Sequence, residues 1–227
     1  MALVISLGGS TINGKGDVDL NFVKRFAKAV GGVKGKVGIV TGGGRVAREY
    51  ASALAKLGGS GFSADSVAVR ATRMNAQVVR EALGKEAYPK IPEGFEEAAA
   101  ALGSYRFVVM GGTIPGITTD TDSVLLAEAM GAGRLVNISN VDGVYDSDPR
   151  KSRKAKKYKK LTHRELAGLA EKEDKRKPGT HFVFDLIACR LAMRSGMELH
   201  FIGAKNLGDL GKAASGRPHR GTVVSFK

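Results

Sequence analysis

Four glycine-rich turns, each closing an apolar run, constrain this chain more than any other feature. They are Leu7-Gly8-Gly9-Ser10, Thr41-Gly42-Gly43-Gly44, Gly111-Gly112-Thr113-Ile114-Pro115-Gly116 and the stretch from Asn140 to Asp148. Each apolar run reads as a buried strand, and helix-length segments lie between the turns. A glycine turn at the C-terminal edge of a parallel sheet lets backbone N–H groups approach a ligand closely. A following helix adds its positive end. Four such turns in one chain argue for a site that holds several phosphate groups.

The alternation continues between the turns. Strands are expected at Leu3–Leu7, Lys36–Thr41, Phe107–Met110, Leu135–Ser139, Leu199–Ile202 and Thr222–Phe226. Helices are expected at Leu20–Val30, Val46–Leu57, Asp65–Leu83, Phe95–Leu102 and Asp122–Met130, with further ones opening at Asp185 and near Leu207. Leu20, Val23, Phe26, Ala27 and Val30 share one helical face, and Gly58 and Gly84 are stop signals. Beyond Val141 the texture changes. Asp142-Gly143 and Asp148-Pro149 bracket a short apolar run and suggest a hairpin. Thr162-His163-Arg164-Glu165 fits a capping box, which makes His163 a first-turn helix residue rather than a catalytic base. The charged stretch Glu171–Lys177, ended by Pro178-Gly179, reads as a mobile loop. Strands alternating with helices imply an α/β three-layer sandwich with a mainly parallel central sheet.

Composition narrows the partners. The chain of 227 residues carries a formal charge of +14, which favours anionic ligands without choosing among a nucleotide, RNA and a lipid surface. Eight of the eleven residues from Arg150 to Lys160 are Lys or Arg, directly after the last glycine-containing turn. The single cysteine, Cys189, rules out an intrachain disulfide framework and reads as a packed, inert thiol on an amphipathic helix. The N-terminus enters the first strand at once, with no cationic leader, and no apolar run approaches membrane-spanning length, so a cytoplasmic protein is expected. Without clustered His or Cys ligands, no metal centre held by the protein alone is expected.

Phosphoryl transfer between two nucleotides requires alignment and a positive field around a charged group in flight. Arg45 and Arg48 sit where the helix opens after the triple glycine, and a guanidinium fork there grips phosphate bidentately. Either Arg also fits a solvated helix position. The segment Thr113-Ile114-Pro115-Gly116-Ile117-Thr118-Thr119-Asp120 is rich in constrained and hydroxyl residues, suited to reading a base edge or touching phosphate. Asp120 is placed to orient a cation or a catalytic group; equally, Thr118 to Asp122 caps the next helix.

These motifs resemble the amino acid kinase superfamily, in order and over essentially the whole length. They are Ile5-Ser6-Leu7-Gly8-Gly9-Ser10, Thr41 through Arg48, Gly111 through Asp120, and Asn140 through Pro149, with Asp65, Thr72-Arg73-Met74-Asn75-Ala76 and Asp185-Leu186-Ile187-Ala188. Within it the chain is most similar to the UMP-phosphorylating branch in its archaeal form. The resemblance implies transfer of the ATP γ-phosphate to UMP with Mg²⁺. It assigns Gly9, Ser10, Gly44 and Arg48 to ATP phosphates and Ser139, Asn140, Tyr145 and Asp148 to the adenosine side. It gives Gly43, Asp65 and Thr113, Ile114, Pro115, Gly116, Ile117, Thr118 and Thr119 to UMP. Arg48, Asp120 and Asp185 are the expected catalytic set. An acceptor lobe at 1–134, a donor lobe at 135–227 and a homohexamer built from dimers also follow from it.

Two departures stand out. Many superfamily members carry Lys two residues before the first Gly-Gly, where Ser6 stands here. A second Lys, just before Val-Asp-Gly in bacterial relatives, is replaced by Asn140. The basic run at Arg150–Lys160 is a candidate replacement source, with Lys151, Arg153, Lys154 and Lys156 foremost; a solvated basic loop is the other reading. Two other functions compete. One is a superfamily kinase for another acceptor, such as isopentenyl phosphate, carbamate or an amino acid. The isopentenyl phosphate enzymes use a His in the acceptor region, whereas His163, His181, His200 and His219 all lie late in this chain. The other is a nucleic-acid-binding protein on a degenerate kinase fold, disfavoured by the single aromatic, Tyr158, in the basic run.

Overall fold

A computed structural model describes residues 2–14, 16–174 and 184–226, apart from the side chains of 173 and 174. The chain runs β1 (Ala2–Leu7), α1 (Gly9–Ile12), α2 (Leu20–Gly31), β2 (Lys36–Thr41), α3 (Gly44–Lys56), α4 (Gly61–Leu83), α5 (Phe95–Ala101), β3 (Phe107–Met110), α6 (Thr119–Ala129) and β4 (Arg134–Ser139). It continues as β5 (Lys160–Leu161), α7 (His163–Asp174), α8 (Leu186–Arg194), β6 (Glu198–Gly203), α9 (Leu210–Ala214) and β7 (Thr222–Val224). Short 3₁₀ turns at Gly84–Glu86 and Ala204–Asp209 complete it.

The strands form one sheet in the order β3-β2-β1-β4-β6-β7-β5. The pairs from β3 to β6 are all parallel, and β7 runs antiparallel to β6. Alternating side chains feed two cores. On one face Leu3, Ile5, Val37, Ile39, Val136 and Ile138 meet Phe22 and Phe26 of α2, Val79 of α4 and Leu210 of α9. On the other face Val4, Val108, Met110, Leu135 and Phe201 meet Val124 and Leu126 of α6, Leu166 of α7 and Cys189 of α8. The expected three-layer sandwich is present. Burial also holds the Cys189 thiol well above its ordinary range, which keeps it protonated and inert.

One local expectation is met only in minimal form and another fails. After Val141 only a minimal hairpin forms: Tyr145 bridges Lys157 antiparallel, the Tyr158 amide donates to the Val144 carbonyl at 2.9 Å and the Asp146 amide to the Lys156 carbonyl at 3.1 Å, while β5 beyond it pairs parallel with β7. The Tyr145 hydroxyl donates to nearby Asp142 and the Val144 amide donates to the distant Thr222 hydroxyl, so the segment is held both by its own return and by β7. The residues from Glu171 to Asp174 extend α7 rather than forming a loop, because Leu166 and Ala170 already anchor that helix in the second core. The rest of that expected loop, and His181, lie outside the described residues. The capping box is realised: the Thr162 amide donates to Glu165 Oε2 at 2.7 Å and the Glu165 amide to Thr162 Oγ1 at 3.2 Å.

Candidate active site

Strands β1, β2, β3 and β4 are mutually parallel neighbours, so their four glycine-containing turns emerge on the same edge. The chain order reverses between β1 and β4, and a crevice opens at such a reversal. A cavity of about 360 Å³ lies there. Its walls are Ser6, Gly8–Thr11, Gly42, Gly44, Arg48, Thr119, Asp120, Asn137, Ser139–Val141 and Arg150.

The first two turns touch backbone to backbone, and only glycine allows it. A Cβ on Gly9 would lie 2.3 Å from the Gly42 carbonyl oxygen and the Gly44 nitrogen. Gly44 has φ of +65°, and a Cβ there would meet the Gly9 carbonyl at 2.6 Å. This contact turns two separate loops into one floor, with α1 and α3 starting from it.

Helix α4 holds the turns from behind. The Asn75 amide donates to the Gly42 carbonyl at 2.7 Å, and Thr72 Oγ1 accepts from the Gly112 amide at 2.6 Å. Arg73 donates through Nε to the Gly112 carbonyl at 3.1 Å and through Nη2 to that of Thr113 at 3.0 Å. These roles escaped the reading of the sequence. The available signal was polar Thr72 and Asn75 on the same helical face as apolar Ala71, Ala76 and Val79; all five are buried.

Asp120 opens α6, behind the cap of Thr118, whose hydroxyl accepts from the Asp120 and Thr121 amides. The capping reading of this segment is therefore correct, and it coexists with a place in the cavity wall. Asp120 Oδ1 accepts from Ser6 Oγ at 2.8 Å and Asn137 Nδ2 at 3.1 Å. Ser6 and Asn137 point to the same face of β1 and β4, where neighbouring side chains are apolar. Burial and the nearby Asp185 carboxylate push Asp120 up to about 7, against the two hydrogen bonds that favour its ionised form.

Asp185 stands outside the cavity wall as the N-cap of α8. It accepts from the Ala188 amide at 2.9 Å and from the hydroxyls of Thr118 and Thr121, tying α6 to α8. Asp122 accepts from the Thr113 hydroxyl at 2.6 Å, and burial raises it to about 6. Asp65 Oδ2 accepts from the Gly116 amide at 3.1 Å, closing the third turn onto α4.

Of the expected site residues, Gly9, Ser10, Gly44, Arg48, Thr119, Asp120, Ser139 and Asn140 line the one cavity. Gly43, Asp65, Thr113–Thr118, Tyr145, Asp148 and Asp185 are not part of its wall. The Arg48 guanidinium lies 3.4 Å from Ser10 Oγ, whereas Arg45 is turned to Glu49 and the Gly16 carbonyl. Asn140 Nδ2 donates to the Ser10 carbonyl at 3.0 Å and bridges the first turn to the fourth. Of the basic run, Arg150 reaches the wall, while Lys151, Arg153, Lys154 and Lys156 are not part of it.

The family model for the amino acid kinase family matches residues 1–203. The uridylate kinase of Thermoplasma volcanium is 41% identical over 227 residues, covering 100% of this chain and 98% of its own. That of Pyrococcus abyssi is 39% identical, with 99% of each chain covered. Among solved structures, the uridylate kinase of Archaeoglobus fulgidus superposes with a TM-score of 0.87 at 36% identity, covering 99% of this chain and 100% of that one.

Proposed function

The chain belongs to the amino acid kinase family, and from that membership and its cavity we propose that it transfers the γ-phosphate of ATP to UMP, giving ADP and UDP. The observation that carries this reading is the meeting of the first, second and fourth turns around one cavity, with Asp120 and two guanidiniums in its wall.

The chemistry asks for alignment more than for covalent participation. The amides of the fused Gly9–Gly44 floor supply fixed dipoles toward phosphate oxygens, and Arg48 adds a full charge beside Ser10. Gly9, Ser10, Gly44, Arg48, Ser139, Asn140, Tyr145 and Asp148 form the ATP side of this reading. Gly43, Asp65 and Thr113–Thr119 form the UMP side, an acceptor lobe at 1–134 facing a donor lobe at 135–227. Asp65 keeps Oδ1 for ribose hydroxyls while Oδ2 holds the Gly116 amide.

Mg²⁺ brought with ATP supplies Lewis-acid charge when bound. The donor set fits it: among the described residues no group of three carboxylate, His or Cys ligands forms a cage, and Asp120 presents one carboxyl in the cavity wall, oriented by Ser6 and Asn137. Magnesium commonly takes one or two carboxylates and completes its shell with phosphates and water. Asp120 would hold it, with Ser6 and Asn137 fixing the orientation of that carboxylate.

Assembly of several copies is part of the same proposal. Helix α3 buries only Ala47, and the α3–α4 pair exposes Tyr50, Leu57 and Phe62, at 61%, 83% and 71%. Such an apolar surface suits a second copy of the chain. No described helix is long and apolar enough to cross a membrane.

The deciding experiment measures ADP release by the purified protein with UMP, CMP, dUMP and isopentenyl phosphate as acceptors, and identifies the product. UDP formation with UMP preferred is expected. A folded protein that makes no UDP, or that prefers isopentenyl phosphate, overturns the reading.

A further inference from the structure

Ser6 and Asn140 leave the cavity without a lysine, yet the wall is not short of positive charge. Arg48 enters it from α3, and Arg150 enters from the loop beyond the fourth turn. Arg150 is held in place. Its Nε donates to Asp148 Oδ1 and its Nη2 to Asp148 Oδ2, both at 2.9 Å, and its own backbone amide also donates to Asp148 Oδ1 at 2.9 Å. This fork uses Nε and one terminal amino group, and leaves the donors of Nη1 for a ligand. The intervening Pro149 shortens the freedom of the link between the two partners.

We propose that Arg150 is a phosphate-contacting residue for the donor nucleotide, and that Asp148 acts on the nucleotide only by orienting the Arg150 guanidinium. This rests on the phosphotransfer reading above. It gives the cavity a cation on each side, Arg48 from the acceptor half of the chain and Arg150 from the donor half. It also replaces the direct ATP contact expected of Asp148. That contact is expected on the adenosine side, but both carboxylate oxygens of Asp148 already accept from Arg150, so its part is to order the guanidinium.

The test compares wild type, Arg150→Gln, Arg150→Lys, Asp148→Asn and the Asp148→Asn/Arg150→Gln double variant. Binding of a fluorescent ATP analogue is measured without UMP, beside KM and kcat for both substrates. Arg150→Gln is expected to weaken the analogue by about tenfold or more, with KM for UMP little changed. Lys should restore only part, because it lacks the fork, and added guanidinium should recover activity in Arg150→Gln. Asp148→Asn should weaken ATP in the wild-type background and add nothing in the Arg150→Gln background. Unchanged ATP-analogue affinity in Arg150→Gln overturns the assignment to Arg150. An undiminished Asp148→Asn effect in the double variant overturns the indirect role of Asp148. A wild type that binds the analogue but yields no UDP refutes the phosphotransfer reading instead, and the binding arms still judge this one. Both side chains are partly exposed, and thermal melts check that the variants fold.

Discussion

Asp120 concentrates the chemistry of this site at the scale of one residue. Removal from water and the neighbouring Asp185 carboxylate raise its proton affinity, while the hydrogen bonds from Ser6 and Asn137 work the other way and favour the anion. Asp120→Asn keeps the size and the hydrogen bonding but removes the anion that would hold Mg²⁺. We expect kcat to fall by about 10²-fold or more, with KM for UMP nearly unchanged; an unimpaired kcat would remove Asp120 from the reaction. His163 makes a different prediction. Its ring is buried against Phe226, and among the described residues neither nitrogen has a partner. Burial lowers its affinity for a proton below that of the unfolded chain. The unfolded state therefore takes up more protons as pH falls through about 6.5, and the folded state loses stability in that direction. His163→Phe should gain on wild type by about 2–4 °C in melting temperature as pH drops from about 7.5 to about 5. A difference that stays flat with pH refutes it.

At the scale of elements, α4 is the part that makes separate turns into a site. Thr72, Arg73 and Asn75 grip the second and third turns through hydrogen bonds to backbone groups. Arg73→Met should loosen the third turn and raise KM for UMP by about tenfold, leaving KM for ATP near wild type. Equal effects on both substrates would mean that Arg73 supports the fold at large. The strands were legible because a buried parallel strand is a local pattern: Lys36–Thr41 and Phe107–Met110 begin and end where the apolar runs do. Helix starts were less legible. Gly44, Gly61 and Thr119 open their helices two to four residues before the expected starts: the first turns of the helices at Gly44 and Thr119 line the site with glycine and polar residues, and that at Gly61 lies exposed on the surface. The segment after Val141 was legible only in part, because turn residues mark where a chain bends and not every partner it then meets. It turns back on residues 156–158 as expected, but it also joins Thr222, 78 residues on from Val144, which no turn signal announces.

For the whole molecule, the exposed apolar side chains of α3 and α4 bear on assembly. Leu57→Glu combined with Phe62→Glu should lower the solution mass measured by light scattering while leaving the far-ultraviolet circular dichroism unchanged. An unaltered mass would place the contact between copies elsewhere. The sequence alone determined the kinds of elements, the glycine turns and their likeness to a family of kinases, because propensity, periodicity and turn chemistry act over a few neighbouring residues. Only the tertiary structure decided which turns share an edge, that Gly9 and Gly44 meet, and that Arg150 rather than the lysines after it lines the cavity. Those outcomes depend on strand order and on pairs as distant as Ser6 and Asp120, 114 residues apart, and no local preference encodes a partner that far away.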